Sequence, residues 1–96
     1  MNLDPTVGSE INKTLPCLVV SPNEMNRDIR TAIIAPMATA RKRYPSRVVC
    51  TFGGKRGEIV LDQIRTIDQT RLIKRLGTIS PHASVEVSRV LQEMFA

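Results

Sequence analysis

The residues with the most chemical potential in this chain are cations. Arg41, Lys42, Arg43, Arg47, Lys55 and Arg56 lie close together, and no Asp or Glu occurs between Asp28 and Glu58. A one-sign block in a chain of net charge +5 favours a polyanion over a small neutral ligand. The competing reading is a solvated face that keeps the chain soluble. Cys17 and Cys50 stand in apolar runs without CxxC spacing or a nearby histidine cluster, which reads as two buried, reduced thiols in a cytoplasmic protein, with a single disulfide as the alternative. The single histidine, His82, falls in the first turn of a C-terminal helix, where a surface position is the ordinary one. No P-loop, GxGxxG or HExxH motif occurs. A serine-hydrolase triad and a zinc site are therefore disfavoured, and neither metal nor cofactor is expected. RNA suits the inventory better, because its own 2′-hydroxyl can attack the adjacent phosphate. The protein then needs only cations or donors around the developing charge and a weak base.

Those side chains must be held by a single domain of 96 residues, a size that buries about 60–70% of its unfolded surface. There is no Trp, one Tyr and two Phe, so the core has to be aliphatic. No apolar stretch approaches the roughly 20 residues needed to span a bilayer. The start, Met1 to Pro5, has neither a basic region nor an apolar run of a signal peptide. Residues 1–16 read as loop-rich. Cys17–Val20 reads as a buried strand, Asn23–Arg27 as one helical turn, and Thr31–Ala35 as a second strand stopped by Pro36. Met37–Pro45 is a basic loop. Arg47–Phe52 and Gly57–Leu61 form a hairpin around Gly53-Gly54. Ile64–Ile67 is strand-like, Asp68 caps a short turn through Arg71, and Ile73–Ile79 is another strand. Ser80 and Pro81 open the last helix, whose apolar stripe is Ala83, Val87, Val90, Leu91 and Met94. The sum is a small twisted barrel of short strands with a C-terminal helix.

Three blocks in order carry a family resemblance. The first runs from Asn2-Leu3-Asp4-Pro5-Thr6-Val7-Gly8-Ser9-Glu10 through Lys13-Thr14-Leu15-Pro16-Cys17-Leu18-Val19-Val20-Ser21. The second is Ile33-Ile34-Ala35-Pro36-Met37, and the third is Leu61 to Asp68. Together they resemble the MazF/PemK toxins, the mRNA interferases of bacterial toxin–antitoxin pairs. The resemblance implies a mainly β, SH3-like small barrel with a C-terminal α-helix, similar also to the gyrase-poisoning CcdB toxins. It implies a homodimer whose interface grooves hold single-stranded RNA, and cleavage to a 2′,3′-cyclic phosphate and a 5′-hydroxyl. It also implies neutralisation by an antitoxin with an acidic, disordered tail.

Carried over by position, the resemblance puts Glu10, Thr39, Asp62 and Gln63 at the catalytic site. It aligns Arg65 with a basic preference, which joins Lys13 and the cationic block as candidate RNA contacts. Each has a structural alternative: Glu10 bracing a loop, Asp62 bonding backbone amides, Arg65 pairing with Asp68. Two positions depart from the family. Lys13-Thr14-Leu15-Pro16 replaces Lys-x-Arg-Pro, so the arginine expected to stabilise the transition state is absent, and Ala38 stands where threonine is frequent. Losing one such donor costs about 3–4 kcal/mol, or a factor of about a hundred to a thousand in rate. Only Met1 precedes the Asn-Leu-Asp-Pro block, so the barrel is expected to lack its leading strand and to present an open sheet edge. The function expected is thus a weakened RNA-cutting toxin, with an inactive relative that still binds RNA and antitoxin, or a CcdB-like gyrase poison, as alternatives.

Overall fold

Periodicity changes along the chain explain the architecture seen in the computed structural model, which describes residues 6–10, 16–39 and 44–96. The strands are β1 (Thr6–Glu10), β2 (Pro16–Val19), β3 (Thr31–Thr39), β4 (Arg47–Phe52), β5 (Lys55–Val60), β6 (Arg65–Asp68) and β7 (Leu72–Thr78). Two helices join them, α1 (Asn23–Asp28) and α2 (Pro81–Met94). The strands hydrogen-bond in the order β4-β5-β3-β2-β1-β7, with β6 added on β3, and every described pairing is antiparallel.

The continuous apolar run of β2 is explained by burial on both faces. Leu18 and Val20 enter a larger core with Val7, Ala35, Met37, Ile59 and Leu61, closed by Ala83, Val87, Val90 and Leu91 of α2. Cys17 and Val19 point the other way, into a smaller cluster with Ala32, Ile34 and Ile67. Both cysteines are buried and free, as expected.

Pro36 does not stop its strand. β3 pairs with β6 as far as Ile34↔Arg65, and with β5 from Met37↔Ile59 onward. Pro36 faces Cys17 of β2 on one side, while its other side falls in the gap where β3 passes from one partner to the next. A missing N–H costs no ladder bond there. The loop-rich reading of residues 1–16 also misses β1, which is bonded to both β2 and β7 and buries Val7 completely. Gly8 and Ser9 are poor strand formers, and the pairing with β7 is irregular on both sides of them.

The hairpin forms at Gly53-Gly54, with φ of 61° and 76°, the left-handed pair that a two-residue I′ loop requires. Its second strand starts at Lys55, two residues earlier than the pattern suggests, and ends at Val60 before a 3-10 turn over Leu61–Gln63. Asp68 accepts a bond from the backbone N–H of Thr70, and Ser80 caps α2 by accepting from the N–H of Ala83. Such a cap is worth about 1 kcal/mol. One residue of the α2 stripe is not core: Met94 is 37% exposed. Leu91 and Phe95 near the end of the helix line an open apolar cavity with Val20, Pro22, Ile33 and Ile64, and Met94 is not part of that wall.

Candidate functional site

The sheet register sorts the candidate residues into two places. Ser9 pairs with Pro16 between β1 and β2, Cys17 with Pro36, and Thr39 with Gly57. The end of β1, the start of β2, the end of β3 and the start of β5 therefore share one end of the sheet. An open cavity of about 330 Å³ lies there, lined by Pro16, Ala38, Thr39, Lys55, Arg56 and Gly57 among others. Lys55 and Arg56 are exposed, and among the described residues neither makes an ion pair. They retain full capacity for an outside anion. Gly57 lets β5 approach β3 closely beside the cavity, because a Cβ there would stand 2.7 Å from the carbonyl oxygen of Ala38.

Asp62 and Gln63 are elsewhere. The β3–β5 register, Met37↔Ile59 and Thr39↔Gly57, carries the chain away from Thr39 as it approaches Asp62. Beyond the level of Thr39, β5 runs on from Gly57 to Val60, and the 3-10 turn that follows carries Asp62. At that far end Arg47 ties the structure together. Its Nη1 donates to Glu58 Oε1 at 2.9 Å, and its Nε to Asp62 Oδ1 at 3.3 Å. Ser46 Oγ donates to the same Asp62 oxygen at 3.0 Å, and the Arg47 guanidinium lies 4.7 Å from the centre of the Tyr44 ring. Partial burial alone would raise the Asp62 carboxyl, but the bonds from Arg47 and Ser46 outweigh it and hold its pKa below the usual carboxylate range. A carboxylate so held is a poor proton acceptor. The Arg47 guanidinium is raised in turn, chiefly by its bond to Asp62.

The remaining candidates are placed as follows. Glu10 ends β1, paired with Leu72, and only its backbone is described. Lys13, Leu15, Arg41, Lys42 and Arg43 lie outside the described residues, although position 15 directly precedes Pro16 of the cavity. Gln63 is exposed on the 3-10 turn, and Arg65 is exposed on β6 opposite Ile34. His82 is exposed. The Asp68 carboxylate accepts from both the N–H and the hydroxyl of Thr70. Burial raises the Cys50 thiol, which lines the cavity, and so suppresses its nucleophilic form. No group of three or more metal-capable side chains occurs among the described residues.

Glu58 escaped the sequence reading. It is 2% exposed between apolar neighbours, and its Oε2 has no hydrogen-bond partner among the described residues. The signal was present in the alternation. Val49 faces Glu58 and Arg47 faces Val60, which makes Arg47 and Glu58 diagonal neighbours on one face of the hairpin.

Comparison with known proteins decides the family. The model of the PemK-like, MazF-like toxins of type II toxin–antitoxin systems matches residues 1–95. The chain belongs to this toxin family. Endoribonuclease toxin MazF of Escherichia coli K12 is 32% identical over 82 residues, covering 84% of this chain and 74% of that one. Endoribonuclease EndoA of Bacillus subtilis 168 is 32% identical, covering 95% and 84% respectively. Among solved structures, a mycobacterial endoribonuclease superposes with a TM-score of 0.85 at 23% identity, covering 98% of this chain and 90% of that one. A MazE–MazF complex from Deinococcus radiodurans gives 0.83 at 22% identity, covering 98% and 95%. These structures establish the fold, a mainly β half-barrel with a C-terminal helix. In this chain the cationic cavity lies at the start of β5, around Lys55–Gly57, and Arg47 pairs with Val60 at its end. No described helix is long and apolar enough to cross a membrane.

Proposed function

We propose that this chain is an endoribonuclease toxin that cuts single-stranded RNA without metal, through attack of the 2′-hydroxyl on the adjacent phosphate. The products are a 2′,3′-cyclic phosphate and a 5′-hydroxyl. The observation that carries the reading is the cavity beside Pro16, where Lys55, Arg56 and Thr39 converge. A phosphate seated there meets two cations that no described carboxylate neutralises. Thr39 supplies the hydroxyl donor next to Ala38, and Glu10, at the same end of the sheet, is the candidate weak base. Asp62 holds the 3-10 turn through Ser46 and Arg47 and does not move protons. Relatives catalogued as endoribonucleases support the activity, and a mycobacterial endoribonuclease solved with its cognate antitoxin supports an antitoxin partner. We read the functional unit as a homodimer, with the acidic antitoxin tail occupying the RNA groove.

Leu15 and Ala38 favour a second reading, in which the chain retains binding and has lost most of its cutting. Incubation of the purified protein with a long single-stranded RNA, followed by mapping of the ends, separates the two. Cleavage with 5′-hydroxyl ends supports the toxin nuclease. Intact RNA that is bound in a salt-dependent way supports the non-cutting relative. Absence of both cleavage and binding rejects the RNA reading.

A further inference from the structure

Phe52 closes β4 and pairs with Lys55 across the Gly53-Gly54 turn. Residues opposite each other in an antiparallel pair share a face of the sheet, with Cβ atoms about 4.5–5.5 Å apart, so ring and ammonium leave the hairpin side by side. Cys50 and Gly57 form the next pair on that face, and Thr39 of β3 lies on the far side of Gly57. Gly57 has no side chain, so this row of three is low in its middle. The open cavity of about 330 Å³ beside Pro16 lies there, and Phe52, Lys55 and Thr39 all line it. Its volume is within the range of small-ligand sites, about 300–1,000 Å³. Phe52 is only partly buried and packs against the main core. Its ring also stands against β7, where a Cβ at Gly77 would lie 3.3 Å from Cε1 and 3.4 Å from Cζ.

We propose that Phe52 is a stacking platform for one base of single-stranded RNA, with the Lys55 ammonium beside it on the phosphate of that nucleotide. The inference rests on the endoribonuclease reading and adds to it the place where a base of the substrate lies. Single strands are gripped by aromatic surfaces set next to cations that track the backbone, and such stacking tolerates any base because every base has a π-face. This cavity holds both parts. Lys55 and Arg56 make no ion pair among the described residues, which leaves their charge for a phosphate. Next to Phe52 the wall is Pro16, Met37 and Cys50, which bring no amide, hydroxyl or charged group to read a base edge. An apolar wall with a cationic rim suits a flat group carried on a phosphate, held by its face rather than by its edge. A ring already packed against the core and β7 loses little freedom when a base settles on it.

The test is an abasic scan, which does not depend on cleavage. A randomised pool of short 2′-fluoro RNA, which lacks the attacking hydroxyl, is retained on the full-length protein and sequenced. In a retained strand each nucleotide is then made abasic in turn, or exchanged for the other three bases, and affinities are measured by fluorescence anisotropy for the wild type and for Phe52→Leu. The expected result is one position where loss of the base costs the wild type roughly tenfold in affinity while exchange of the base costs little. Phe52→Leu should bind the intact strand roughly tenfold more weakly and be indifferent to base loss at that position. A side chain that only filled the core would weaken binding without changing the scan. RNA retained by the wild type with no position of this kind overturns the platform, even if Phe52→Leu fails to fold. A scan that is unchanged in folded Phe52→Leu overturns the role of Phe52. No retention of RNA by the wild type removes the endoribonuclease reading itself.

Discussion

The two ends of the β4–β5 hairpin use the same residue types in opposite ways. Beside Pro16, Lys55 and Arg56 stand exposed and without described carboxylate partners around a shallow cavity. Five residues along, Arg47 is bound to Glu58 Oε1, Asp62 Oδ1 and the face of Tyr44. Arginines counted as one basic block thus divide into ligands for something outside and braces for something inside. Coulomb attraction cannot serve both at once, since a guanidinium already neutralised by two carboxylates adds little to the field a phosphate meets. On that contrast the cationic end is free to meet an outside anion, and the Arg47 end is committed to its own ion pairs.

The largest test of this division restores the missing donors at the cationic end. Leu15→Arg together with Ala38→Thr should raise the rate of RNA cleavage by about a hundredfold or more, since each preorganised donor is worth about 3–4 kcal/mol and paired effects are not additive. End-mapped cleavage against wild type measures it; a wild type that already cuts, and that these changes do not improve, would sink the idea of impaired activity. Next in size is Gly57→Ala. Its Cβ would meet the Ala38 carbonyl at 2.7 Å, and the backbone has to yield, at about 1–3 kcal/mol of stability read from urea unfolding. Because the displaced strand carries Thr39, RNA binding should fall with it. A variant of unchanged stability would show that the approach of β5 to β3 has slack.

Salt separates the two ends more finely. Log affinity for single-stranded RNA changes with log salt by about −0.7 per phosphate neutralised, so Lys55→Ala and Arg56→Ala should each flatten the slope by about that amount. Arg47→Met should leave the slope unchanged and lower stability instead, because it strands Glu58 in a buried site without its cation. The double variant Arg47→Met/Glu58→Leu should recover much of that loss. If Arg47→Met flattens the slope as Arg56→Ala does, the division into ligand and brace is wrong.

Much of the fold was legible because local chemistry and tertiary context agree. Gly53-Gly54 supplies the positive φ of a hairpin turn, and Ser80-Pro81 marks the start of α2. The failures share a different cause. Pro36 reads as a stop until β3 is known to change partners around it, and Gly8-Ser9 reads as loop until β2 and β7 are seen to flank it. Met94 follows the helical stripe but stands 37% exposed near the helix end, while Leu91 one turn earlier is buried. At the site, charge patterning located the basic block but not its split, since only the β4–β5 register sets Arg47 diagonal to Glu58. Asp62 was named from a motif, and its bonds to Ser46 and Arg47 are set by the tertiary structure rather than by that motif.

The smallest expected effect is on the acid limb of stability, and it tests the same contrast by titration. Asp62 and Asp68 both have lowered pKa values in the folded state. For Asp68 the cause is local, the N–H and then the hydroxyl of Thr70, whereas Asp62 owes its shift to Arg47 and Ser46 acting against burial. A carboxyl depressed on folding binds fewer protons in the native state than in the unfolded one. Its contribution is complete above the unfolded value, near 4, and is lost as pH falls through the lower folded value. Asp62→Asn and Asp68→Asn should therefore each make stability less steep in pH below about 4, measured as urea midpoints at stepped pH. In an Arg47→Met background the Asp62→Asn effect should shrink while that of Asp68→Asn stays, because only Asp62 draws its shift from the brace. Equal effects in both backgrounds would mean that Ser46 alone holds Asp62, and that Arg47 braces the hairpin through Glu58 rather than through the turn.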